Sequence, residues 1–452
     1  MAFQATLATL IDLLKPQLCC CGEDLGQVKA QGVNTDSRSL AAGELFLALR
    51  GEQFDGHQFV ERAAQRGAIA AIVDHPLDIA LPQLQVKNTL VAYQTLANWW
   101  RRQFKIPVIG ITGSAGKTTT KELIAAVLGT AGSVLKTEAN YNNEIGVPKT
   151  LLQLTPDHDY AVIEMGMRGP GEIAELTQIA VPDIGVIINV GTAHIGRLGS
   201  RTAIAQAKCE LLAQMPATSM AILNADQPLL MAAAAEVWQG SVMSYGLEAG
   251  QMQGQIIDQR VLRVHDLDFP LPLPGVHNAS NFLAALAIAD YLKLDLTPLQ
   301  QGLILNLPSG RAHQLVLDND VIILDQTYNA GLESMQAALQ LLAELPGQRH
   351  IAVLGAMKEL GDYSLDFHRQ VGALVQSLDL DQLFILDTGP EGAALAEGAR
   401  PVPTQQFADH AALIQALEQQ MQRGDRILCK ASHAVGLDRV VDYFSPSPTQ
   451  GT

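Results

Sequence analysis

Eleven residues, "GITGSAGKTTT" at 110–120, constrain this chain more than any other stretch. Gly113 and Gly116 free the backbone to curl so that successive N–H groups point inward. The apolar run "IPVIGIT" ahead of them and a helical pattern behind supply a strand–loop–helix setting, which makes a cradle for phosphate. Lys117 then reaches terminal phosphates, and the Thr118 hydroxyl can join a Mg²⁺ shell, which keeps several waters and few protein ligands. A strict phosphate loop has glycine where this chain has Ile111, so the sequence is a variant of the motif.

The 452-residue length suggests about three domains at roughly 150 residues each. A hydrophobic fraction of 48% with 17% charged residues describes an ordinary globular chain able to bury large cores. The formal charge of −16 argues against nucleic-acid or anionic-membrane partners, which need clustered Lys and Arg, so an anionic ligand must be met by local positive groups. No basic leader opens the chain and no run of about 18 apolar residues occurs, which predicts a cytoplasmic protein without membrane insertion. Cys19, Cys20 and Cys21 lack zinc or disulfide spacing and are expected to be reduced thiols.

Three segments follow from the patterning. Residues 1–103 hold short apolar runs such as "ELFLALRG" and a helical "YQTLANWWRRQF", expected as a small mixed α/β domain. Residues 104–310 alternate β-rich runs ("YAVIEMG", "IGVIINVG", "SMAILNAD") with helical stretches, the pattern of a mostly parallel sheet covered by helices. Residues 311–452 repeat that alternation in a second, Rossmann-like α/β unit that ends in the polar, proline-containing "SPSPTQGT", expected to fray.

Catalytic groups in open α/β sheets gather at the carboxyl ends of strands. Glu164 after "YAVI", His194 past "IGVIINV" and Asp325 closing "VIIL" sit there, and the first two are metal-ligand types. Taken singly, each could cap an element or fill a core, but their common placement favours a shared site. Lys208, in the helical "AIAQAKCELL", reads by default as part of a solvated face. His277, Asn278 and Asn281 stand at the mouth of an apolar helix, where capping competes with binding. Ser37, Arg38, Arg50, Asp55 and His57 concentrate around short strands, and arginine pairs well with phosphate.

Taken together, these stretches resemble the Mur ligase family, ATP-dependent amide-forming enzymes of peptidoglycan precursor synthesis. The resemblance runs over nearly the whole length, through "TDSR" with "FLALRGEQFDGHQF", "NYNNEIGVPKTLL", "EMGMRGPGEI" and "DQTYNAGLESM". The family loop T-G-x-x-G-K-T is satisfied by "TGSAGKT", which accounts for the misplaced glycine. The resemblance implies UDP-N-acetylmuramoyl-tripeptide and D-alanyl-D-alanine as substrates, ATP and two Mg²⁺ ions as cofactors, an acyl-phosphate intermediate, and a monomer. A ligase adding another amino acid, a small-molecule kinase using the same loop, and a nucleotide-binding scaffold without turnover are the rival readings.

The resemblance also assigns roles. Gly113, Ser114, Ala115, Gly116, Lys117, Thr118 and Thr119 would hold the phosphates of ATP, Asn281 its adenine, Arg311 its phosphates from the domain junction, and Asp325 its ribose. Thr118 and Glu164 would hold one Mg²⁺; His194 and Lys208, the latter as a carbamate, would hold the other. Lys117, His194 and Lys208 would thus be the catalytic set. Ser37, Arg38, Arg50, Asp55 and His57 would take the uridine diphosphate, and Asn142, Asn143, Tyr328, Asn329 and Lys430 the remaining substrate groups. Where the family carries "KGSR", this chain reads "KASH", Lys430 to His433, which alters the expected contact with a peptide carboxylate.

Overall fold

The computed structural model describes residues 3–19, 26–51, 54–308, 310–311 and 313–445. Cys20, Cys21, the Cys19 side chain and the "PSPTQGT" end of the tail lie outside the described residues, and so do the expectations placed on them. Cys209 and Cys429 are buried free thiols. Among the described residues no helix is long and apolar enough to cross a membrane.

Continuous apolar runs become parallel strands covered on both faces, because a strand buried on two sides has no polar face to alternate with. In the central unit "VIGIT" at 108–112 is buried throughout, as is "IGVI" at 184–187. Seven strands lie side by side in parallel, in the order Val134–Lys136, Tyr160–Glu164, Val108–Thr112, Ile184–Ile187, Met220–Asn224, Ser241–Gly246 and Met252–Ile257. Two antiparallel strands, Val261–Val264 and Leu267–Pro270, extend the sheet at one edge. The helix Val276–Tyr291, apolar nearly all round, is buried against the helix Lys117–Leu128, as expected where no face is left for water.

The other two units repeat the scheme on a smaller scale. A five-stranded sheet in the N-terminal unit is parallel except for Leu18–Cys19. The C-terminal sheet has the order His313–Leu317, Val321–Asp325, Asp425–Lys430, Arg349–Gly355, Gln382–Leu386 and Thr404–Gln406, with only the first strand antiparallel. Thr112, Glu164, Asp325 and Lys430 each end a strand, so the two larger sheets bring their carboxyl ends to the loops that form the site.

The helix Thr89–Arg101 ties the first unit to the second. Asn88 caps its start by accepting from the N–H groups of Leu90 and Val91. At its end Arg101, only 6% exposed, donates to the carbonyls of Ala180, Val181 and Phe104 at 3.0–3.1 Å and to Asp183 at 2.7 Å. The Trp100 indole N–H adds a bond to Leu154 O at 3.0 Å. A buried guanidinium is tolerable because four of its five N–H groups have acceptors. Arg101→Met is expected to lower stability by about 2–3 kcal/mol, the cost of stranding these acceptors, seen as a lower denaturant midpoint at unchanged slope.

Candidate active site

The loop after Val108–Thr112 is held from the neighbouring strand. The Asn189 side chain accepts from the N–H groups of Ser114 and Ala115, both at 3.0 Å, and donates to Ala115 O at 3.0 Å. Ser114 Oγ accepts from Gly191 N–H at 2.9 Å, which closes the loop onto the next one. Gly116 turns at φ +79°, where an added Cβ would stand 3.1 Å from Asn281 Nδ2, so both conformation and space favour glycine. Asn281 thereby lies directly beside the loop. Thr119 is in the first turn of the helix, and Lys117 Nζ donates to Gly113 O at 3.0 Å.

Glu164 is the hub behind that loop. Its carboxylate accepts from Thr118 Oγ1 and from Asn142 Nδ2, each at 2.8 Å, and it is 2% exposed. Its backbone N–H is held at 2.9 Å by Thr137 Oγ1, whose own carbonyl accepts from the buried Lys121 at 2.6 Å. A hydroxyl and a carboxylate converging in this way are the hard oxygen ligands that Mg²⁺ prefers, so the residues present fit that ion. Asn143 accepts from the N–H groups of Ile145 and Gly146 at the start of the next helix.

Lys208 departs from its default reading. It is 1% exposed on the inner side of the helix Arg201–Gln214, and among the described residues it makes no hydrogen bond or ion pair. Burial, reinforced by the nearby Lys117 charge, holds its pKa well below the usual lysine value. Burial likewise depresses Lys117, with Arg311 adding to the effect and Glu164 opposing it. A buried amine with a depressed pKa can be neutral and nucleophilic, which fits the addition of CO₂ to give a carbamate. His194 belongs to the same electrostatic neighbourhood: burial lowers its pKa, the Glu359 carboxylate opposes that, and Lys117 and Lys208 add to it. The imidazole Nδ1 lies 2.6 Å from Glu359 Oε2.

From the C-terminal sheet come Asp325, Arg311, Tyr328, Asn329 and Lys430. Asp325 is already occupied, accepting from Gly310 N–H at 3.0 Å and from Thr327 N–H and Oγ1 at 3.1 and 2.6 Å. Lys430 Nζ donates to Asn329 O at 2.9 Å, and its pKa is lowered to about 7, chiefly by burial and further by Arg311. The Arg311 guanidinium stacks 3.6 Å over the Tyr328 ring while its Nε is buried without a partner, an orphan donor suited to an anion. His433, in the altered "KASH" segment, stacks on Tyr328 with ring centroids 6.0 Å apart.

The N-terminal residues form a separate cluster. Ser37 is buried, and Arg38 is paired with Asp36, whose carboxyl it holds down at about 2. Arg50 pairs with Asp74 at 3.1 Å and more loosely with Asp55 at 3.5 Å. The His57 ring is fully engaged, its Nδ1 with Asp55 at 2.6 Å and its Nε2 accepting from Asp74 N–H at 3.0 Å. His57, Asp74 and His75 could geometrically surround an ion, but the two bonds leave His57 no free nitrogen. Among the described residues, no hydrogen bond or ion pair joins this cluster to the phosphate loop.

Sequence reasoning missed Asn189 on the loop, Thr137 behind Glu164, Glu359 beside His194, and Asp74 and His75 in the first unit. Asn189 was within reach, since it lies beyond a strand end like His194. Glu359 was not, because nothing local ties "KELG" to a histidine 165 positions earlier.

Comparison with known proteins follows this geometry. Family models match in three places: the Mur ligase family catalytic domain over 29–127, the Mur ligase middle domain over 111–289, and the Mur ligase glutamate ligase domain over 310–433. A Synechocystis protein named UDP-N-acetylmuramoyl-tripeptide–D-alanyl-D-alanine ligase is 57% identical, covering 93% of this chain and 94% of that one. An Escherichia coli protein of the same name is 37% identical over 98% and 99%. Among solved structures, MurF from Acinetobacter baumannii superposes with a TM-score of 0.89 at 31% identity, covering 98% and 99%. MurF ligase from Thermotoga maritima in complex with ADP gives 0.82 at 29% identity, over 91% and 96%. With relatives this similar along almost all of its length, the chain belongs to the Mur ligase family.

Proposed function

We propose that this chain is the ATP-dependent ligase that joins D-alanyl-D-alanine to UDP-N-acetylmuramoyl-tripeptide, giving the pentapeptide precursor of peptidoglycan. The observation that carries the reading is the seam where Lys117, the Thr118–Glu164 pair, His194 and Lys208 of the central sheet meet Arg311 and Lys430 at the mouth of the C-terminal one. Cations gathered in a chain of net charge −16 need a polyanionic ligand, and a nucleoside triphosphate beside a substrate carboxylate is one. The 57% identical relative bears the name of this activity.

In this reading residues 1–103 hold the uridine diphosphate, 104–310 the ATP, and 311–452 close over the pair, in a cytoplasmic monomer. Ser37, Arg38, Arg50, Asp55 and His57 line the first site, where phosphate oxygens take over Arg38 and Arg50 from their carboxylate partners. The tripeptide carboxylate attacks the γ-phosphorus, ADP leaves, and an acyl phosphate remains. The neutral amine of D-alanyl-D-alanine then attacks the carbonyl, expelling phosphate and forming the amide.

The chain's own groups make this feasible by position and charge. Lys117 and the loop N–H groups hold the phosphate chain, Asn281 faces the base, Asp325 the ribose, and Arg311 offers its orphan Nε to the transferring group. Thr118 and Glu164 would hold one Mg²⁺, and His194 with Lys208 as its carbamate the second; when bound, the ions neutralise the repulsion between two anionic reactants. Asn142 steadies Glu164, while Asn143, Tyr328, Asn329 and Lys430 border the path of the incoming peptide. Docking of the C-terminal unit excludes water that would hydrolyse the acyl phosphate.

Phosphate release from ATP is expected to require both the UDP-linked tripeptide and D-alanyl-D-alanine, with one pentapeptide formed per phosphate by mass spectrometry. Release that is indifferent to the dipeptide would sink the ligase reading and favour a kinase. Lys208→Ala is expected to lose about 100-fold or more in kcat, as when one preorganised group that stabilises the transition-state charge is removed, and to recover part of it in a short carboxylic acid. Equal loss without any such recovery would argue against the carbamate.

A further inference from the structure

Along "GTAHIGRLG" at 191–199 the central unit meets the first turn of the helix Leu332–Glu344 and the segment 359–363 of the C-terminal unit. Thr192 Oγ1 donates to Glu333 at 3.0 Å, and Tyr363 OH donates to Gly199 O at 3.3 Å. Gly196 and Gly361 are pressed together: a Cβ on Gly196 would stand 2.6 Å from Gly361 N, and one on Gly361 only 2.9 Å from Gly196 Cα. Gly196 N–H donates to Glu359 O at 3.2 Å. The Glu359 carboxylate reaches His194 Nδ1 at 2.6 Å with one oxygen and approaches Arg197 at 3.6 Å with the other.

Two details make this more than a chance surface pair. His194 and Glu359 both sit at φ +64°, a left-handed conformation that side-chain-bearing residues hold only when their surroundings dictate it. The Glu359 loop is also fixed from behind, where Met357 N–H donates to the buried His368 Nε2 at 2.9 Å and Lys358 N–H to Ser432 Oγ at 3.0 Å. A carboxylate can only accept, so it places the imidazole proton on Nδ1 and leaves Nε2 with a free lone pair.

We propose that Glu359 is a positioning residue contributed by the C-terminal unit: it fixes the rotation and tautomer of His194 across the seam, so that the second metal position is complete only when the two units are docked. The inference rests on the reading of His194 as a ligand. It makes closure and metal occupancy one event. Before the units meet, His194 lacks its orienting acceptor and the γ-phosphate region lacks an ordered second ion, so premature hydrolysis of ATP is disfavoured by construction.

The test counts Mn²⁺ by electron paramagnetic resonance on the full chain with a non-hydrolysable ATP analogue. Wild type is expected to bind two ions. In Glu359→Ala the tighter ion, at Thr118 and Glu164, keeps its affinity while the other weakens about 10- to 100-fold, the usual effect of removing a partner that orients a metal-binding histidine. kcat falls while the KM for ATP stays within about twofold, a split expected when the lost interaction acts on the reacting groups and not on substrate binding. Glu359→Gln, which keeps an acceptor without the charge, gives the same selective loss in smaller measure and serves if the alanine variant does not fold. Thr192→Val removes a contact of the same seam without touching His194 and is expected to leave both ions in place. Two ions at wild-type affinity in Glu359→Ala, or the same selective loss in Thr192→Val, overturn the proposal. Fewer than two ions in wild type instead overturns the reading of His194 as a ligand.

Discussion

The rest of the structure answers to one electrostatic constraint: four cationic side chains, Lys208 and Lys430 buried and Lys117 and Arg311 half-buried, gather around a single seam. Lys117, Lys208 and Lys430 all have depressed pKa values with burial as the leading cause, and Arg311 presses on two of them. Glu164 acts on Lys117 and Asp325 on Lys430, but both carboxylates are already engaged, Glu164 by Thr118 and Asn142, Asp325 by Gly310 and Thr327. Left alone, such a cluster costs stability, since desolvating a charge without a partner is among the more expensive things a fold does. It persists because two large parallel sheets with apolar cores hold its members in place regardless.

That imbalance explains why the site is divided between two bodies. A rigid cradle with four fixed cations on one unit would carry their mutual repulsion all the time. Splitting them, with Lys117 and Lys208 on the central unit and Arg311 and Lys430 on the other, places the repulsion at the junction, where an anionic ligand can offset it. The polar contacts across "GTAHIGRLG" are correspondingly modest: two hydroxyl-donated bonds, one backbone bond from Gly196 to Glu359, and the Glu359 carboxylate between His194 and Arg197, beside a glycine-on-glycine approach. Interfaces this sparse are the ones expected to move.

How far the sequence led depends on the range of the interaction concerned. The phosphate loop, its strand and its helix were legible because their signals lie within about twelve residues. The three α/β units were legible because parallel strands buried on both faces leave unbroken apolar runs. Glu164 and Asp325 could be picked out by lying at strand ends. Lys208 could not, because its helix carries buried residues on more than one side and a single lysine there reads as the exposed position. Only the tertiary fold, which closes over that helix, turns it into a buried amine. Asn189 bonding the loop, Thr137 steadying Glu164 and Glu359 reaching His194 are all pairings between distant segments, and local periodicity carries no record of them. Asn143, next to Asn142 in "NYNNEIG", also starts a helix, accepting from the N–H groups of Ile145 and Gly146, and the local pattern does not separate that work from binding.

The sign of the resulting proton linkage follows from the same burial. Lys430 has a folded pKa of about 7, while an unfolded lysine titrates near its ordinary value of about 10.4. Between those values the unfolded chain carries a proton that the folded one has shed, so unfolding takes up protons and stability rises with pH across that window. Below about 7 the ammonium is charged in both states and the burial penalty is fully present. An anion bound at the seam reverses the balance by favouring the charged lysine, which raises its folded pKa and moves the penalty away from neutral pH. The unliganded protein is therefore held back near neutrality by the same groups that make its liganded form favourable. Anion binding at the seam and protonation of Lys430 are therefore one coupled process.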